Sequence, residues 1–196
     1  MATPTPMVID RGGKSPRAWD LYSRMMEDRV IFINGVITGD MASNVVTQLL
    51  WLHHANDTKR ISMYINSPGG HVTDGMAIYD TMHYIKPPIR TICAGRAASM
   101  AAILLTAGAK GERLALPHSK MMIHQPSGGF CGQATDVVIQ ADEITKTKKL
   151  LNKVLSHHTG KPLKEVTADT ERDYYMDTGE AIEYGLIDDV IESYDV

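Results

Sequence analysis

The stretch Ile89–Gly108, IRTICAGRAASMAAILLTAG, decides the fold, because it reads as two elements joined at one turn. IRTICAG is a short apolar run with β-branched residues and reads as a strand. SMAAILLTAG, built of Ala, Leu, Ile and Met, reads as a buried helix. The same alternation extends outward in both directions. DRVIFING (28–35) and ISMYINS (61–67) read as strands, and ASNVVTQLLWLHHAN (42–56) and HVTDGMAIYDTMHYI (71–85) read as helices. Downstream, ERLALP and KMMIHQP read as two further strands. Strands and helices alternating at this spacing predict an α/β fold with largely parallel strands. A chain of 196 residues holds one domain with a sizeable core and is short for two.

From Gly132 the character changes. QATDVVIQADEITKTKKLLNKVLSHHTG is one long helical segment, apolar at Val138, Ala141, Ile144, Leu151 and Leu155 and ended by Gly160 and Pro162. Pattern alone leaves two readings open: an arm that projects from the body, or a long surface helix.

Bulk properties exclude several classes. The chain is 43% hydrophobic and 22% charged, with a formal net charge of -3. That balance, with Lys146, Lys148, Lys149 and Lys153 spread among acids, argues against nucleic-acid binding. The longest apolar stretch, Met100 to Ala107, is far too short to span a membrane. Cys93 and Cys131 are too few for a disulfide framework and lack metal-ligand spacing. The start, MATPTPMVIDRGG, carries no basic region followed by an apolar one, so no secretion signal is expected. The expected location is cytoplasmic, or an organelle stroma or matrix if a transit segment is removed.

Ser99 stands at the turn of the opening stretch. Serines among alanines are usually packing residues, and the G-x-S-x-G elbow is not matched, since Ala97 and Ala101 flank it. A serine hydroxyl attacks well only when a base takes its proton, and a carboxylate must then hold that base. Of eight histidines, the pairs His53–His54 and His157–His158 read as surface or helix-end residues, His71 and His83 belong to one helix, and His118 follows Pro117 in a turn. His124 closes the apolar strand KMMI and faces the loop Ser127-Gly128-Gly129, a position suited to a catalytic base or to a structural histidine. Asp173 is one candidate acid, in a context able to bury a carboxylate beside Tyr174 and Tyr175; Asp136, Asp142 and Asp169 compete with it. The turn Asn66–Gly70 brings unobstructed main chain near, and the Met100 amide at a helix start is a second donor for an oxyanion.

With these residues in place, the chain resembles the ClpP family, the serine-protease subunit of ATP-dependent Clp complexes. The resemblance runs from about Pro6 to Glu192. It rests on PMVID, YSRMMEDRVIFINGVI, MYINSPGGHVTDGMAIYDTM, GRAASMAAILLTAGAKGERLALPHSKMMIHQPSGG, GQATDVVIQADEI and ADTERDYYMDTGEAIEYGLID. It implies Ser99 as nucleophile, His124 as base and Asp173 as acid, with the amides of Gly70 and Met100 as oxyanion donors. It also implies a crotonase-like ββα spiral over residues 1–196, with an N-terminal axial segment at 1–19 and a handle at about 127–160. Two stacked heptameric rings would enclose the sites, fed with polypeptide by a hexameric AAA+ unfoldase. Extended substrate is expected to bind along Gly69, His71 and Val72 and along Ser127, Gly128 and Gly129. No metal or organic cofactor is called for, and no phosphate-binding loop occurs.

The chain departs from the family pattern at particular places. Arg96 stands where glutamine is common and Ala101 where glycine is, both beside the serine. Ser62 and Leu114 replace aromatics common in the outer cleft that receives the unfoldase, and Ser127 replaces a leucine by the substrate strand. These departures keep a rival in view, a ring-forming subunit that is catalytically silent. A crotonase-type acyl-CoA enzyme is a further rival, against which the complete Ser, His and Asp set counts.

Overall fold

The computed structural model describes residues 6–10 and 16–193. Of the expected axial segment, residues 1–5 and 11–15 lie outside that range. The rest of it forms an antiparallel hairpin, β1 (Met7–Asp10) with β2 (Arg17–Asp20), leading into α1 (Leu21–Glu27).

The core sheet begins where the isoleucine-rich runs predict it. In β3 (Val30–Asn34) and β4 (Ile61–Ser67), alternate residues turn inward: Ile31 and Ile33 from one, Ile61, Met63 and Ile65 from the other, all fully buried. They pair in parallel, and β4 pairs in parallel with β5 (Ile89–Ala98). Helix α2 (Gly39–Ala55) connects the first pair and α3 (Val72–Tyr84) the second. Thr38 caps α2 through its hydroxyl, and the helix buries Ala42, Val45, Leu49 and Leu52 along one stripe. At its far end the Arg29 guanidinium donates to the carbonyls of Leu52, Asn56, Lys59 and Arg60, closing the turn that returns to β4.

The opening stretch differs from its reading in one respect. β5 does not stop at Gly95; it runs through Arg96 and Ala97 to Ala98. Gly95 has φ 109, and a side chain there would press on the Asn66 amide. At this glycine the strand changes partners. Thr91–Cys93 pair with β6 (Arg113–Ala115), whereas Arg96–Ala98 pair with β7 (Lys120–Ile123). The sheet therefore forks. One branch continues from β6 to β9 (Asp189–Val190), the other from β7 to antiparallel β8 (Tyr174–Met176). Helix α4 (Met100–Thr106) lies against the fork with all seven residues buried. The result is the predicted α/β fold with a mostly parallel sheet.

Helix α5 (Ala134–Thr159) ends at Gly160 in the left-handed conformation, as the sequence suggests. Its buried residues, Leu151, Asn152 and Leu155, all lie in the second half. The first half exposes Val138 and Ile139. Of the two readings, the projecting arm describes this half. Two short helices follow, α6 (Leu163–Asp169) and α7 (Thr178–Tyr184), the latter started by a reciprocal cap between Asp177 and Glu180. Arg113 on β6 fastens this region: its guanidinium pairs with Asp188 and donates to the carbonyls of His158 and Gly185. Among the described residues, no helix is long and apolar enough to cross a membrane.

Candidate active site

Ser99 occupies the single residue between β5 and α4, with φ 56 and ψ -125. Positive φ is costly for any residue but glycine and must be imposed by its surroundings. Here three contacts impose it. The Ser99 amide donates to the Met122 carbonyl on β7 at 2.8 Å, the Ser99 carbonyl accepts from Ala102 at 3.0 Å, and buried Ala97 and Ala98 leave the strand no freedom to relax. The small residues that first suggested mere packing are what allow so sharp a turn. The hydroxyl is thereby held at the end of the sheet.

His124 follows the last residue of β7, whose Met121, Met122 and Ile123 are all buried, so the strand end aims the ring. Its Nε2 lies 2.8 Å from Ser99 Oγ and its Nδ1 2.9 Å from Asp173 Oδ1. An ionised carboxylate only accepts, so Nδ1 carries the proton and Nε2 is left to accept from the serine hydroxyl. The structure thus brings Ser99, His124 and Asp173 into one hydrogen-bonded chain. Asp136, Asp142 and Asp169 take no part in it; Asp169 accepts from the Tyr184 hydroxyl instead. Asp173 is not buried as its aromatic neighbours suggested. Its side chain is 56% exposed, because Tyr174 and Tyr175 themselves turn outward from the short strand β8.

The double-glycine turn lies beside the serine. Ile37 and Gly70 form an isolated parallel bridge, in which Ile37 donates to the Gly69 carbonyl and His71 donates to the Ile37 carbonyl. That pairing uses the residues on either side of Gly70 and turns the Gly70 N–H to the other side. Gly69 has φ 92, and a side chain on it would meet Ser99 Cβ and the Ala98 carbonyl at 2.7 Å and the Met100 amide at 3.0 Å. The double-glycine turn therefore lies directly on the serine turn. Met100 is the first residue of α4, where an amide has no partner within the helix.

An apolar recess opens beside Ser99 and His124, walled by Val72, Ile103, Ile123, Pro126, Leu151 and Leu155. A wider groove runs from His124 past Ser127 to Glu171 and Asp173. Of the expected substrate-binding residues, Val72 lines the recess and Ser127 the groove. His71 is exposed, with Nδ1 3.0 Å from Asp74 Oδ2. Gly128 packs near Phe130 and Ile144, and Gly129 faces open space. The distant contributors, Leu151 and Leu155 from α5, belong to a helical stripe visible in the sequence, but nothing in it ties that stripe to the serine. Nor does the sequence reveal the brace behind the base. The Gln125 amide donates to the Thr170 carbonyl at 2.6 Å, its side chain to the Glu171 carbonyl at 2.7 Å, and Lys148 on α5 to the Glu171 carboxylate at 2.6 Å. The Lys148 bond holds the Glu171 carboxyl below its ordinary range.

None of the departures takes part in this chain of bonds, although Ser127 lines the groove beside it. Arg96 is exposed and lies opposite Lys120 in the β5–β7 register. Ala101 is fully buried inside α4, Leu114 is buried on β6, and Ser62 is half-buried on β4. Another recess, lined by Tyr22, Phe32, Gln48 and Trp51, contains none of the residues at issue. Among the described residues, no group of three or more His, Cys, Asp or Glu side chains is arranged to hold a metal ion.

A strained serine at a strand-to-helix turn, an imidazole bonded to it, and glycine main chain alongside form an arrangement suited to acyl transfer. The family model for Clp protease matches residues 12–194. The chain belongs to the Clp protease family.

Proposed function

We propose that this protein is a serine endopeptidase in which Ser99 attacks the peptide carbonyl while His124 takes its proton. Asp173 keeps the proton on Nδ1 and stabilises the imidazolium, and the Gly70 and Met100 amides receive the oxyanion. His124 then protonates the leaving amine, and water, activated by the same ring, releases the acyl-enzyme. Every group in the cycle comes from the chain itself. The single observation that carries this reading is the pair of bonds at 2.8 and 2.9 Å joining Ser99, His124 and Asp173.

Substrate enters as an extended strand along Gly69–Val72 and Ser127–Cys131, its main chain giving broad sequence tolerance. An apolar side chain just before the scissile bond packs at the mouth of the recess beside Ser99. Family membership supports a Clp ATPase partner and an oligomeric assembly. In this reading a hexameric AAA+ unfoldase delivers unfolded polypeptides into a chamber of two stacked heptameric rings, in the cytoplasm or an organelle stroma or matrix.

The test combines a fluorogenic peptide, a serine-directed probe and native mass spectrometry. Ser99→Ala is expected to abolish hydrolysis and labelling while leaving the assembled mass of the native protein unchanged. Unchanged hydrolysis in that variant overturns the mechanism. An assembled native protein whose Ser99 takes no probe is the silent subunit instead.

A further inference from the structure

Three histidines meet outside the Ser99–His124–Asp173 chain, where the C-terminal ends of α3 and α5 come together. Tyr79 and His83 stand one turn apart on α3, with ring centroids 4.3 Å apart. His157 and His158 end α5. The His158 ring lies 5.5 Å from His83 and 5.0 Å from His157, and its Nε2 is 2.8 Å from the Tyr79 hydroxyl. His83 Nδ1 bonds the Tyr79 carbonyl at 2.8 Å. The sequence presents these histidines as unremarkable helix-end residues, and the mechanism uses none of them.

We propose that His158, Tyr79 and His83 form a proton-sensitive tie that fixes the C-terminal end of α5 to α3, and through α5 the wall of the apolar recess beside Ser99. Its bearing on hydrolysis rests on the peptidase reading; the tie itself does not. The recess takes Val72 from the start of α3 and Leu151 and Leu155 from α5, so the tie joins two helices that wall the same recess.

The surroundings accept the neutral ring and penalise the charged one. From α3, the Tyr79 hydroxyl lies 2.8 Å from Nε2 and donates to it when the neutral ring carries its proton on Nδ1. Burial and nearby Asp80 raise the tyrosine's own pKa, so it remains a donor. From α5 comes His157, and from β6 comes the Arg113 guanidinium, which donates to the His158 carbonyl at 3.0 Å. Asp188, the carboxylate that faces Arg113, is already engaged by its guanidinium through two nitrogens. A proton on His158 thus places a second cation beside a fixed one, with His83 as a third group able to charge. Burial first, then His83, His157 and Arg113, push the His158 pKa down to about 4.

A group with a depressed pKa in the closed state and its ordinary value of 6.5 in the open state favours opening as pH falls through that window. The closed arrangement keeps its full advantage well above pH 6.5 and loses it progressively toward pH 4. For these two values, the opening equilibrium rises about thirtyfold between pH 8 and pH 5.

The experiment is amide hydrogen exchange, corrected for intrinsic rates, on the full chain carrying Ser99→Ala, so that hydrolysis plays no part. Amides of residues 151–159 are expected to lose protection about thirtyfold from pH 8 to pH 5, while those of Met100–Thr106 stay constant. In His158→Gln the pH dependence is expected to vanish. Equal loss in both proteins, or full protection at pH 5 without the substitution, overturns the tie. Should His158→Gln fail to fold, the carbon-13 imidazole signal of His158 in the unsubstituted chain decides. A midpoint below pH 5.5 upholds the tie, and one at or above it overturns the proposal. Absent hydrolysis in the protein that keeps Ser99, with pH-dependent exchange in Ser99→Ala, would refute only the peptidase reading. Hydrolysis in the protein that keeps Ser99, with flat exchange in Ser99→Ala, would refute only the tie.

Discussion

Replacing Gly69 by alanine tests whether the two main-chain turns at Ser99 are held in contact. The added Cβ would lie 2.7 Å from Ser99 Cβ and from the Ala98 carbonyl oxygen, and φ 92 is a conformation that alanine resists. Carbon atoms at rest stand about 3.5 Å apart, so the turns must separate by about 0.8 Å. The obstructing atoms are backbone or backbone-adjacent, and no flexible side chain can swing away to relieve them. A displacement approaching 1 Å at reacting atoms costs on the order of 100-fold in rate, equivalent to about 2.7 kcal/mol. The left-handed conformation adds a stability cost of about 1–2 kcal/mol. The assay is steady-state hydrolysis of a fluorogenic peptide with an apolar residue before the scissile amide, run alongside denaturant unfolding. Gly179→Ala on α7 is the control, since its Cβ meets only an ordinary 3.5 Å contact at Asp177. A Gly69→Ala protein that keeps more than a third of native kcat/KM would refute the reasoning.

Two other substitutions probe the frame around the site. Leu155→Ala empties part of the recess wall from a residue only 2% exposed. It should cost about 2–5 kcal/mol in urea unfolding and shift preference from aliphatic toward aromatic side chains before the cleaved bond; an unchanged ratio of kcat/KM values would count against that role for the recess. Arg113→Ala leaves Asp188 without its guanidinium and two carbonyls without a donor. Breaking a pair this buried should cost about 3 kcal/mol and lower Tm by roughly 6–12 °C, and calorimetry finding less than 1 °C would show the pair to be incidental.

The parts legible in the sequence are those with local causes. The alternation in ISMYINS shows which side of β4 faces the core, and the glycine after SHHT marks the end of α5. The continuation of β5 to Ala98 was not legible. Residues 95–98 are held as strand by β7, more than twenty residues downstream, and a glycine inside an apolar run reads locally as an end. Ser99 and His124 were legible as candidates because each closes an apolar element. Asp173 was not separable from its competitors by spacing, since what singles it out is the antiparallel return of β8 alongside β7. Its exposure was misread for a related reason: aromatic neighbours suggest burial, yet on a three-residue edge strand they face outward. The arm-like half of α5 remained open to two readings because a stripe of apolar residues looks the same whether or not anything covers it.

If the chain is the peptidase proposed above, the order in which the fork in the sheet is completed sets when it gains its activity. His124 lies 25 residues beyond Ser99, and Asp173 another 49 beyond that. The serine turn is clamped only once β7 lies beside the end of β5, and the acid arrives only when β8 folds back on β7. A chain emerging from the ribosome therefore holds an unarmed serine until the segment that carries β8 has also been made. Should that three-residue edge strand peel away, the base loses its acid while the core sheet stays whole. On the peptidase reading, the fold gives the molecule a safety catch at a short edge of its sheet.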